Sequence, residues 1–161
     1  MTTNPERVDD RRHRGRPEIG VGAVVVRDGA LLMIRRGRPP AAGSWSVPGG
    51  RVERGETLEA ALAREVAEEC GIEIRCRRFL GWVERIAPDR HDVIIDFVAE
   101  QVGDDPVRAG DDAVDARWVP LPEVERLDLV PGLGAFLREH GVLGEGNGLP
   151  GASGEPVRSP T

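Results

Sequence analysis

The stretch Gly50–Ile72, GRVERGETLEAALAREVAEECGI, sets carboxylates on a helical face where hydrocarbon is expected. Its second half reads as a helix. Thr57 can cap it, Leu58, Leu62 and Val66 recur at helical spacing, Ala60, Ala61, Ala63 and Ala67 favour the conformation, and Gly71 suits the exit. At about 100° per residue, Glu65 and Glu69 fall on the azimuth of Leu58 and Leu62, with Glu68 at its edge. Carboxylates at covered positions need compensation. A divalent cation compensates several that converge at i, i+3 and i+4, and hard oxygen ligands select Mg²⁺ or Mn²⁺ over zinc. A Glu-rich face is also what a merely solvated helix carries, so the spacing around this one has to decide.

That spacing runs Gly50, five residues, Glu56, seven residues, Arg64-Glu65, the apolar Val66, Glu68-Glu69, Gly71 and the apolar Ile72. It resembles the signature box of the Nudix hydrolases at every defined position. The resemblance implies an α/β (α+β) fold, the Nudix α/β/α sandwich around a mixed β-sheet. It also implies metal-dependent hydrolysis of a nucleoside diphosphate linked to another moiety, with Mg²⁺ as cofactor and Mn²⁺ able to substitute. Carried over residue by residue, Glu65, Glu68, Glu69 and the Gly49 carbonyl become the expected metal ligands. The base is expected at Glu68, at Glu65 or on an acid from a later loop. Arg64 and Glu56, eight residues apart, resemble a brace that orients those carboxylates. Glu53 resembles a position close to the metal or the substrate.

Substrate choice lies outside the box. Residues 36–56 and the segments Gly110–Ala113 and Ala116–Pro120 resemble an ADP-ribose pyrophosphatase-like subgroup, so the likeness covers roughly residues 19–127. Pro88, sixteen residues after the box, matches a position where ADP-ribose hydrolases of the family carry proline. Arg35 and Arg36 end an expected strand and could face phosphates. Trp45 could stack on a base, whereas Trp82 and Trp118 sit in strand patterns and are expected in the core. Of Asp111 and Asp112, Asp112 is favoured as a supplementary ligand or base, with a simple turn as the alternative. ADP-ribose or a related nucleotide sugar is the expected substrate. An oxidised nucleoside triphosphate, 8-oxo-dGTP type, and a catalytically silent nucleotide sensor are the alternatives.

Composition fits such an enzyme. The 161 residues suit one domain, with 39% hydrophobic and 31% charged residues. A net charge of -6 argues against general nucleic-acid binding, and no apolar run is long enough to span a membrane. Cys70 and Cys76 form no ligand motif and read as free thiols of a cytoplasmic protein. A small-molecule nucleotide is the expected partner. The resemblance allows a homodimer, though no apolar stripe in the sequence marks an interface. Residues 1–17 read as a flexible arm, 18–143 as the folded domain and 144–161 as a disordered tail rich in Gly, Pro and Ser. Within the domain, strands are expected at 19–27 and 30–35 around Asp28-Gly29, and at 44–47. A long hairpin is expected at 73–86 and 91–102, a strand at 116–119, and helices at 121–127 and 133–140.

Overall fold

A computed structural model describes residues 15–110 and 112–145. The expected arm and tail therefore lie almost wholly outside the described residues, as does Asp111. The described residues form seven strands and two α-helices: β1 Glu18–Arg27, β2 Ala30–Arg36, β3 Trp45–Ser46, β4 Gly49–Arg51, α1 Leu58–Cys70, β5 Glu73–Ala87, β6 Arg90–Val102, β7 Ala113–Pro120 and α2 Leu133–Glu139. A 3₁₀ helix, Leu121–Arg126, stands where a short helix was expected. The strands make one mixed sheet, ordered β3-β2-β1-β6-β5, with β4 pairing β1 and β7 pairing β2. Only the β1–β6 pair is parallel among the strand pairs described.

Local chemistry accounts for these elements. Asp28 and Gly29 both take positive φ, 49° and 75°, which closes the β1–β2 hairpin in the two-residue turn whose twist matches its strands. The β5–β6 hairpin runs longer than expected, and only Pro88 and Asp89 remain in its turn. In α1 the Thr57 hydroxyl accepts from the Ala60 N–H at 3.1 Å, and Gly71 leaves the helix in the left-handed region at φ 68°. Both ends thus follow the sequence reading.

The sheet has a core on each face, the sandwich anticipated from the resemblance. Val21, Val25, Ile34 and Phe97 pack under Leu62 and Val66 of α1. Val24, Met33, Val98 and Val119 pack on the opposite face with Val124, Phe136 and Leu137. Each such side chain, fully covered, contributes about 1.5–3 kcal/mol. Near its start β1 is flanked by β4, through Gly20↔Arg51, Val21↔Gly50 and Gly22↔Gly49, whereas near its end it is flanked by β2. The sheet therefore forks beside β1, and β4 is the outer strand of the lower half.

Two tryptophans depart from expectation. Trp82 is 60% exposed, on a strand that ends the sheet, and Phe79 and Ile86 of the same strand are also open. Alternation alone marked Trp82 as core, but α1 crosses the sheet elsewhere and leaves this part of β5 bare. Trp118 is partly buried and packs on the α1 side, closer to its expectation. Among the described residues no helix is long and apolar enough to cross a membrane.

Candidate active site

The acids of α1 meet β4 through glycine. A Cβ on Gly50 would sit 2.3 Å from the Glu65 carboxyl carbon and 2.5 Å from each of its oxygens. The absent side chain is thus the space that Glu65 occupies. One residue earlier, the Gly49 N–H donates to Glu69 Oε2 at 3.1 Å. Glu69 is only 8% exposed, and burial above all, with neighbouring Glu65 adding, pushes its carboxyl up to about 8. Glu65 is also raised by burial, while its hydrogen bond from Arg64 works the other way. Glu68 lies at the rim, its side chain 58% exposed. The azimuths derived from the helical repeat are therefore the observed ones.

Arg64 holds this constellation together. Its Nη2 lies 2.6 Å from Glu56 Oε1 and its Nε 3.1 Å from Glu56 Oε2, a two-pronged pair. Nη2 also donates to the Arg51 carbonyl at 3.0 Å. Glu56 in turn accepts from the Glu53 N–H at 2.8 Å, and the Arg64 bonds hold its carboxyl below the usual range. Glu53 contributes this backbone bond while its own side chain is exposed. Sequence reasoning missed a second task of Arg64. Its Nη1 spans Glu65 Oε1 at 2.8 Å and Glu68 Oε2 at 3.3 Å, so the guanidinium stands among the acids as well as behind them. Among the described residues no three acidic, His or Cys side chains are gathered as an ion would gather them.

The donor set nevertheless fits a hard cation. Glu69 is a covered carboxylate with one N–H donor and no contacting positive side chain in the described bonds, and Glu65 rests in a cradle that any Cβ would fill. Glu65, Glu68, Glu69 and the Gly49 backbone supply oxygen only, the chemistry that Mg²⁺ and Mn²⁺ select.

The remaining expected residues divide. Arg36 is half-buried, with Nε donating to the Pro40 carbonyl at 2.8 Å. Burial lowers its pKa while nearby Glu69 raises it and Arg85 and Arg90 lower it further. The charge of Glu69 is thus felt at Arg36, whose described side-chain bond goes to Pro40. Arg35 is exposed and spends its Nε on the Gly43 carbonyl at 2.9 Å, so no described contact brings it there. Asp112 pairs with Arg38 at 3.1 Å on the surface, yet its charge is felt by both Glu65 and Glu69. Trp45 needs correction as a stacking platform. It is 8% exposed, packed in the core on the α2 side, and the Arg117 guanidinium lies 4.9 Å from its ring centre.

The loop at 103–110 is the feature with least sequence signal. Its Arg108 and Gly110 N–H groups donate to the Cys70 and Glu69 carbonyls, each at 2.9 Å, and so satisfy acceptors that the end of α1 leaves open. The approach is close. A Cβ on Gly110 would lie 1.7 Å from the Glu68 carbonyl oxygen. An isolated Gly before two Asp residues was the only trace of it in the sequence.

Comparison with known proteins places this geometry. The model of the NUDIX domain matches residues 16–140. The ADP-ribose pyrophosphatase of Methanocaldococcus jannaschii is 35% identical over 115 residues, 69% of this chain and 66% of that protein. The NAD-capped RNA hydrolase NudC of Stutzerimonas stutzeri is 32% identical over 119 residues, 72% of this chain and 41% of its own length. The chain thus spans less than two thirds of either relative. A MutT NUDIX hydrolase from Burkholderia pseudomallei superposes with a TM-score of 0.69 at 32% identity, covering 76% of this chain and 97% of that one. With the box, the forked mixed sheet and the family match over most of its length in agreement, the chain belongs to the NUDIX family.

Proposed function

We propose that the chain hydrolyses the diphosphate of a nucleoside diphosphate linked to another moiety, ADP-ribose or a related nucleotide sugar, releasing a nucleoside monophosphate. The observation that carries this reading is the buried, glycine-cradled set of Glu65 and Glu69, with Glu68 at its rim and Arg64 fixed behind by Glu56. A binding module has no need of two covered acids, Glu65 and Glu69, at such costly positions. The M. jannaschii relative bears the name of an ADP-ribose pyrophosphatase, which supports the substrate class.

In this reading Glu65, Glu68, Glu69 and the Gly49 carbonyl hold Mg²⁺, with Asp112 as a supplementary acid. The ion, when bound, would polarise the diphosphate and neutralise its charge. The chain's own residues do the rest. Arg64 orients Glu65 and Glu68, and the Gly49 N–H fixes one oxygen of Glu69. Glu68, open to water, is the proposed acceptor of the proton from the attacking water. Arg36, half-buried and within the field of Glu69, is the proposed donor to phosphate oxygens.

Incubating the full chain with Mg²⁺ and a panel of nucleotide sugars, dinucleotides and ordinary and oxidised nucleoside triphosphates tests this. AMP and ribose 5-phosphate from ADP-ribose, abolished by EDTA, are expected. Pyrophosphate from triphosphates alone would move the substrate class, and nucleotide binding without turnover would make the chain a sensor. Gly50→Ala is a sharper probe. The added methyl takes the place of the Glu65 carboxyl, so turnover is expected to fall at least about tenfold while stability changes by about 1–3 kcal/mol. Full turnover in that variant would remove Glu65 from the site.

A further inference from the structure

β5 ends the sheet, and among the described residues no strand pairs its outer edge. Its two register shifts fall early, between Cys76 and Arg78 and between Phe79 and Gly81. From Gly81↔Asp96 to Ala87↔Arg90 every residue then pairs in step with β6. A long regular edge is normally covered, charged or bulged, because its free N–H and C=O groups invite another strand.

This edge also carries hydrocarbon. Phe79 is 48% exposed, Trp82 60% and Ile86 71%, three of the five large hydrophobic side chains left open among the described residues. Single open side chains need no explanation, whereas three on one open strand do. They share a face. Phe79 stands opposite Phe97, ring centres 6.3 Å apart, and Trp82 opposite Ile95, both of the α1-side core, while alternation turns Ile86 the same way. On the other face a cleft of about 440 Å³ opens between β5 and α2, lined among others by Gly81, Ala135 and Phe136, and gives side chains of an added strand somewhere to go.

We propose that a second copy of this chain covers the edge, β5 pairing antiparallel with β5 about a two-fold axis beside Trp82. An axis normal to the sheet keeps each face on its own side, so the stripe of one copy runs into the stripe of the other. Trp82 meets Trp82, and Phe79 and Ile86 extend the contact. The three side chains offer roughly 350 Å² of open apolar surface per copy, approaching half of the ~800 Å² that each partner of a specific interface buries. The backbone edge and the flanking charges make up the remainder. Glu84 interrupts the stripe, and antiparallel pairing sets it beside the first half of the other strand, where Arg75 and Arg77 share Glu100. Stripe and charges of β5 thus complement β5 itself, which singles out a second copy over an unrelated chain. The acids of α1 lie against β4, with β6 and β1 between it and β5, so the pairing stands independently of the reaction.

Sedimentation of the full chain from about 1 to 200 μM tests this. A monomer–dimer equilibrium with a Kd of about 1–50 μM is expected, and Trp82→Glu should weaken it at least about 50-fold. Val114→Glu, at an open position on β7, should change it less than about threefold. The wild-type titration needs no variant, melting curves check that Trp82→Glu is folded, and Ile86→Glu serves as a second probe of the same stripe. Hydrogen exchange reads the geometry, since amides within Phe79–Ile86 should slow about tenfold or more on association. A single-chain mass at the highest concentration, assembly beyond the dimer, association unaltered in both stripe variants, or exchange that slows elsewhere and not in β5 would each overturn the proposal.

Discussion

Glu69→Gln and Glu68→Gln are each expected to lower kcat by about 10²–10⁴-fold with the fold intact. The two substitutions act differently. Glu69 is covered, receives the Gly49 N–H and is the acid most in need of a counter-charge, so an amide there keeps the shape and removes the charge that would hold a cation. Relief from burying a carboxylate should leave Glu69→Gln as stable as the parent, or more so. Glu68 is open at the rim, its described side-chain partner being Arg64, so Glu68→Gln should change stability by no more than about 0.5 kcal/mol. Steady-state kinetics with a Mg²⁺ titration, beside thermal melts, separates the two. Raised metal demand is expected for Glu69→Gln, and a lowered kcat at saturating metal for Glu68→Gln. Turnover within threefold of the parent in both would sink the metal-site assignment.

The second large effect is expected far from the box. Gly110→Ala puts a methyl 1.7 Å from the Glu68 carbonyl oxygen, a backbone atom that cannot rotate aside. Either the loop lifts from α1 and loses the bonds to the Glu69 and Cys70 carbonyls, or the end of the helix shifts. An expected cost of about 2–4 kcal/mol follows, read as a fall in melting temperature of roughly 5–15 °C, with turnover reduced beyond what unfolding explains. Gly103→Ala is the control. That glycine has φ 77° with open space around it, so the substitution strains only its own backbone and should cost about 1 kcal/mol. Equal effects at the two positions would show that conformation, not the close approach, is what matters at Gly110.

Most of the architecture was legible because local chemistry dictated it. The α1 caps, the Asp28-Gly29 turn and the β5–β6 hairpin are written in neighbouring residues, and the observed limits differ from the expected ones by a residue or two. The acids of α1 were legible for the same reason, since helical rotation fixes which side chains share a face. What failed depended on partners far along the chain. Trp45 became core because the strand it belongs to is roofed by Val130 and Leu133, and Trp82 stayed outside because nothing crosses over it. Arg35 and Arg36 are adjacent in sequence, yet a register shift falls between them on β2, and one side chain donates to the Gly43 carbonyl while the other, half-buried, donates to that of Pro40. The second role of Arg64 and the contact at Gly110 are both properties of tertiary neighbours that no spacing rule encodes.

The docking of residues 108–110 on the last turn of α1 bears on the order in which the molecule comes together. Some forty residues and a complete β5–β6 hairpin intervene between the Glu69 and Cys70 carbonyls and the amides that satisfy them. Such a contact carries the loop-closure cost of everything between its ends and therefore forms late. A nascent chain ending near Val102 would already hold the whole acidic box and the strands beneath it, but the final turn of its helix would be open to water and Asp112 missing. Competence at this centre thus waits on a segment outside the box, and slow hydrogen exchange at the amides of Arg108 and Gly110 would time its arrival.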